Sequence, residues 1–143
     1  MRTSKLFINL FLIFSTFLFG QNSLSLADNG DGTWNVDYVS DADISGFQFT
    51  VDGSTVSDAS GGDAGSAGIN ISISGSSITT NNFTGATIVA GSGTLLVLTV
   101  DSTPTGLSSI LVTDASLADL GFSFDDGSEP NYYSVDLEDT GES

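Results

Sequence analysis

The 143-residue chain carries 18 acidic residues against two basic ones, with no histidine and no cysteine, for a formal net charge of −16. A polyanion of this kind repels phosphate backbones and anionic bilayers alike, which excludes nucleic-acid binding and electrostatic membrane attachment. Without cysteine there are no disulfides or thiolate metal sites, so stability rests on a hydrophobic core.

Residues 1–21 read as a cleaved signal peptide. Arg2 and Lys5 form a short basic start, an apolar stretch runs from Leu6 to Phe19, and Gly20 precedes the polar Gln21-Asn22-Ser23. The apolar run is broken by Asn9, Ser15 and Thr16 and falls short of the roughly 20 residues a bilayer needs. Cleavage is expected after Gly20 or Gln21, giving a secreted or cell-surface protein with no stable membrane insertion. Both basic residues leave with the leader, so the mature chain keeps every acid and no Lys, Arg or His.

From residue 22 onward the sequence alternates with period two, the pattern of half-buried antiparallel sheet. Leu24 and Leu26 alternate with Ser23 and Ser25, and Trp34, Val36 and Tyr38 with Asn35 and Asp37. Phe47, Phe49 and Val51 are followed by Ile69, Ile71 and Ile73, and later by Leu120, Phe122 and Phe124. Residues 94–100 (TLLVLTV) are apolar at both parities, as expected of a central strand. Turns are marked at Asp28-Asn29-Gly30-Asp31-Gly32, Asp52-Gly53, Gly91-Ser92-Gly93, Thr103-Pro104-Thr105-Gly106 and Asp126-Gly127-Ser128. Residues 57–68 (SDASGGDAGSAG) read as a low-complexity loop within one domain, and no stretch shows a helical period with caps.

The predicted fold is all-β: a single antiparallel β-sandwich, a jelly roll of about eight or nine strands, over residues 22–137. An acidic tail or the start of a linker follows at 138–143. About 120 residues bury roughly 65% of their unfolded surface, enough for one such domain. The expected core is Trp34, Val36, Phe47, Phe49, Ile71, Leu96, Leu98, Ile110, Val112 and Phe122.

The mature residue types leave little chemistry. There is no general base tuned near neutral pH, no partner to activate a serine and no cationic oxyanion donor, so the expectation is not an enzyme. A carboxylate pair of the glycosidase kind is the sole remaining catalytic device. Hard-cation binding uses the acids better, because calcium takes six to eight oxygens from carboxylates, carbonyls and water. Asp125, Asp126 and Glu129 around a Gly-Ser turn are the candidate calcium ligands, with Asp41 and Asp43 next. The turn at 28–32 has glycine at its third and fifth positions and fails the EF-hand pattern. Trp34 and Tyr38 alternate with polar residues and are assigned to the core. The adjacent Tyr132 and Tyr133 point to opposite faces of a strand, so one of them is offered as a ligand-binding ring. Asn70-Ile71-Ser72 and Asn82-Phe83-Thr84 are formal glycosylation sequons.

Residues 36–52 (VDYVSDADISGFQFTVD) resemble the opening of a cohesin-type domain, where a strand and a short acidic loop lead into a DI-x-G-F-Q-F-x-V-D strand. Residues 92–100 (SGTLLVLTV) and 108–119 (SSILVTDASLAD) are similar to later strands of the same fold. The resemblance spans most of residues 23–124. It implies a nine-stranded jelly roll related to cellulose-binding modules and found in secreted proteins that hold partners or polysaccharide. No dockerin-contacting motif matches. The resulting expectation is a non-catalytic extracellular adhesion or scaffold module with a protein partner, the alternative being a carbohydrate-binding module for an extracellular polysaccharide.

Overall fold

The computed structural model describes residues 22–81 and 85–128. The leader at 1–21, the Asn82 sequon, Glu129, Tyr132, Tyr133 and the tail at 138–143 lie outside the described residues. Alternating sequence becomes strand, except that the run through Leu120, Phe122 and Phe124 does so only at its last two residues: β1 (Ser23–Asp28), β2 (Thr33–Ser40), β3 (Gly46–Asp52), β4 (Val56–Ser60), β5 (Asn70–Ser74), β6 (Ser77–Asn81), β7 (Gly91–Val100), β8 (Gly106–Thr113) and β9 (Ser123–Phe124). One sheet has the order β4-β7-β2-β1-β9 and the other β5-β6-β3-β8. All pairings are antiparallel except that of β1 with β9.

The two sheets face each other across one core. It takes Leu24, Val36, Leu96 and Leu98 from the first sheet and Phe47, Phe49, Val51, Ile78 and Val112 from the second. The rings of Phe47 and Phe49 stack at 6.1 Å between centroids, on one strand of that core. Burying each large side chain contributes about 1.5–3 kcal/mol, the term that must replace the disulfides a cysteine-free chain lacks and the ion pairs absent among the described residues. Of the expected core, Val36, Phe47, Phe49, Leu96, Leu98, Val112 and Phe122 are buried, while Ile71 and Ile110 pack against it half-exposed. Trp34 does not belong to it. Its parity matches Val36 and Tyr38, but it sits one step from the end of β2 and is left half-exposed.

Three bulges set the register. On β7, Thr94 pairs with Asp37 and Leu96 with Val36, leaving Leu95 without a partner. That extra residue lets Leu95 and Leu96 both bury completely. The doubly apolar look of residues 94–100 comes in part from this bulge, although β7 does lie between two strands as expected. On β8 the extra residues are Ser109 and Ile110 against Phe49, with Ser109 at φ 50. On β4 the extra residue is Ser57.

The expected loop at 57–68 is structured. Its first part is β4, and its second is α1 (Gly62–Ala67), capped at its C-terminus by Gly68 in the left-handed conformation. No amphipathic period announces a helix this short. It forms because Ala64 is fully buried and because Gly62, at φ 63, lies where a Cβ would come within 2.5 Å of the Leu95 carbonyl oxygen. Glycine alone lets α1 pack this close to β7.

Candidate functional site

The aspartates come first, because they are the chain's dominant chemistry. Each described aspartate accepts a hydrogen bond from a hydroxyl or an amide. Most of these bonds build turns. Gly30 N–H donates to Asp28 (2.8 Å), Ser116 and Ala118 N–H donate to Asp114 (2.8 and 3.0 Å), and Gly121 N–H donates to Asp119 (2.8 Å). Hydroxyls and amides do here what lysine and arginine do elsewhere.

The candidate calcium residues fit this pattern. Gly127 N–H donates to Asp125 Oδ1 at 2.9 Å, and Asp126 Oδ1 accepts from Ser128 Oγ (2.6 Å) and N–H (2.9 Å). Those bonds, the Ser128 hydroxyl above all, hold the Asp126 carboxyl below the usual carboxylate range, and Thr33 does the same for Asp31. Asp41 accepts from Asn22 Nδ2 (3.0 Å) and Asp43 from Ala90 N–H (2.9 Å), which ties two loops in place. Among the described residues no three acidic groups converge as metal ligands. Glu129, the third candidate, lies outside them, as do Tyr132 and Tyr133.

Tyr38 is the core residue that alternation implies, 4% exposed, and its hydroxyl donates to Asp63 Oδ2 of α1 at 2.6 Å. Burial, and then the Asp63 carboxylate, push the phenol up to about 12. Gly93 makes room for this lock, since a Cβ there would meet Asp63 Oδ2 at 2.8 Å. Trp34 is different. Half-buried, it forms a common wall between a hollow of about 510 Å³ that reaches Pro104, Phe124 and Asp126 and another of about 290 Å³ bounded by Asp28, Asp101 and Thr103.

The outer face of the β5-β6-β3-β8 sheet is the other distinctive surface. Pairing register aligns Asn70 with Asn81, Ser72 with Thr79, Thr79 with Gln48, and Gln48 with Leu111. Ser74 with Ser77 and Thr50 with Ser108 extend the row. These positions carry no aromatic ring and no charge; the next outward position on β3, Asp52, is the first carboxylate and accepts from Ser108 Oγ at 2.7 Å. Asn70, the first sequon asparagine, is an exposed member of this face.

At one end of the face lies a hollow of about 540 Å³ lined by Gly46, Gln48, Thr80, Leu111, Thr113 and Leu117, among others. Leu117 is 80% exposed and sits at φ 67, a conformation that branched apolar residues rarely adopt. The Asp114 loop imposes it: Leu117 N–H donates to the Asp114 carbonyl at 2.9 Å, and Asp114 N–H to the Ala118 carbonyl at 3.2 Å. Sequence reasoning missed this residue. Its signal was a leucine amid small and acidic residues, outside any alternating run.

No protein-family model matches the chain, and no curated protein does. Solved structures do. A non-cellulosomal cohesin from the hyperthermophilic archaeon Archaeoglobus fulgidus superimposes with a TM-score of 0.50 over 73% of this chain and 86% of that one, at 11% identity. The CaDoc0917–CaCohA2 complex, a crystal structure at pH 5.5, includes a chain matching at a TM-score of 0.48 and 18% identity, with 73% and 95% covered. With its two-sheet sandwich and parallel β1–β9 pair, the protein has a cohesin-type fold.

Proposed function

We propose that this protein is an exported, non-catalytic docking module that engages a protein partner through the outer face of the β5-β6-β3-β8 sheet. The observation that carries the reading is charge distribution. On a chain whose described residues include no Lys, Arg or His, the row across this face from Asn70 to Leu111 is lined mainly by hydroxyls and amides and carries no charge, Asp52 being the first carboxylate at its edge. Interface centres are depleted in charge, and a face centre free of carboxylates can be desolvated against a partner without stranding ions. Leu117 adds an exposed apolar knob on a rigid, strained loop, the kind of local strain that collects at functional positions. The cohesin-type fold supports the same reading. A polysaccharide ligand is less well supported, because flat sugar binding calls for an aromatic platform and these positions offer none. Calcium at Asp125, Asp126 and Glu129 is a proposed structural ion, independent of the docking face.

The test is capture of a partner by the immobilised protein, with variants Gln48→Arg/Thr79→Arg at the face centre and Leu117→Gly at its edge. Loss of capture by both variants, with neither melting below wild type, supports the docking face. Equal capture by wild type and the double-arginine variant would overturn it. Retention on insoluble cellulose or chitin that survives both variants would move the function to carbohydrate.

A further inference from the structure

The hollows on either side of Trp34 lie at the Gly106 end of β8 and share no lining residue with the docking row or its Leu117 end. The indole is flanked by Asp28 and Asp101 on one side and by Asp37, Asp125 and Asp126 on the other. Each carboxylate is oriented by hydrogen bonds through one oxygen: Asp28, Asp37, Asp125 and Asp126 through Oδ1, and Asp101 through Oδ2 to the Thr55 hydroxyl. None has a cationic partner, since the described residues contain none.

We propose that Trp34 and its flanking carboxylates form a cation-accepting cleft that takes an arginine side chain of a partner polypeptide, stacked on the indole. Charge complementarity identifies the occupant. An aromatic face attracts a cation through its quadrupole, and carboxylates around it add a second attraction of the same sign. Guanidinium is planar, weakly hydrated and able to stack while its N–H groups reach carboxylates on two sides. A divalent ion held at the cleft's edge would leave the indole face unused, because an indole offers it no oxygen. A neutral sugar would stack equally well but would leave the carboxylates uncompensated.

Trp34 is the chain's one tryptophan, so its fluorescence reports on this cleft alone. The probe is a short peptide with two arginines separated by glycine, titrated at constant ionic strength beside the same peptide with citrulline. Saturable change with the arginine peptide and at least about tenfold weaker binding of the citrulline peptide is the expected result. Asp125→Asn/Asp126→Asn should weaken binding about fivefold or more, whereas Asp58→Asn/Asp119→Asn, which removes the same charge elsewhere, should stay within about twofold. Trp34→Leu, followed by calorimetry, should weaken it about fivefold. Equal effects of the two aspartate pairs would reduce the attraction to diffuse charge and overturn the site. So would a signal that saturates with cello-oligosaccharide and not with the arginine peptide, or one that responds to neither.

Discussion

Two glycines of the same short helix should respond to alanine with opposite signs. At Gly62 the backbone is left-handed, φ 63, and a Cβ would lie 2.5 Å from the Leu95 oxygen and 2.6 Å from its carbonyl carbon. Left-handed strain costs a non-glycine residue about 1–2 kcal/mol. The contact is with backbone of a strand bonded on both sides, so β7 cannot yield and α1 must lift. Lifting it exposes the buried Ala64 methyl, about 0.8 kcal/mol, and stretches the Tyr38–Asp63 hydrogen bond, about 1.5 kcal/mol with a charged acceptor. The sum is about 3–5 kcal/mol. For a domain of this size that lowers Tm by roughly 12–20 °C. At Gly65 nothing lies within 4 Å of a Cβ and φ is ordinary. Alanine there removes unfolded-state entropy and should stabilise by about 0.5–1 kcal/mol, raising Tm by roughly 2–4 °C. Thermal unfolding followed by circular dichroism reads both. Shifts of the same sign, or a Gly62→Ala protein within about 1 kcal/mol of wild type, would refute the close packing of α1 on β7.

The remaining predictions concern solution conditions. Tm should rise as NaCl goes from low to molar concentration, since screening relieves like-charge repulsion and there are no described ion pairs to weaken; a flat or falling Tm counts against it. At fixed ionic strength calcium should raise Tm, and Asp125→Asn/Asp126→Asn should abolish the rise; identical curves with and without calcium would remove the proposed ion. The Tyr38 phenol, raised in the folded state to about 12 from an ordinary value of 10.0, favours folding fully below pH 10. Its contribution is lost as pH climbs towards 12, so the urea midpoint should fall across that window in wild type and less in Tyr38→Phe. Leu117→Gly relieves a positive φ and should raise stability by up to about 1 kcal/mol in urea denaturation while removing partner capture.

Alternation revealed the sheets because each strand has one buried face, and that held from Leu24 to Val112. It could not reveal whether the sandwich is closed at each end, which is why Trp34 was placed inside by parity and lies half-open instead. Nor could it foresee bulges. An inserted residue brings two neighbours to one side, so Leu95 and Leu96 look like opposite faces in sequence and share the core in space. At residues 57–68 small residues concealed a strand and a helix, because the stabilising feature there is the lack of a side chain at Gly62 rather than a periodic one. The acids were legible as turn formers individually, but their collective arrangement was not. The uncharged face exists only because register sets Gln48, Thr79, Ser72 and Leu111 in one row, and register depends on those same bulges.

The parallel β1–β9 pair also decides how the domain would bear load. Ser123 N–H donates to the Asn22 carbonyl at 3.3 Å and Asp125 N–H to the Leu24 carbonyl at 2.8 Å, joining the first and last strands of the described chain. Because the two strands run in one direction, tension drawn between them slides one lengthwise past the other. The joining hydrogen bonds are then strained together and must break together, whereas a hairpin pulled from its open end unzips bond by bond. Phe124, packed where a Gly106 Cβ would stand 3.2 Å from its ring, wedges β9 against β8 and resists the same sliding. A module of this build would transmit force along its length before it yielded.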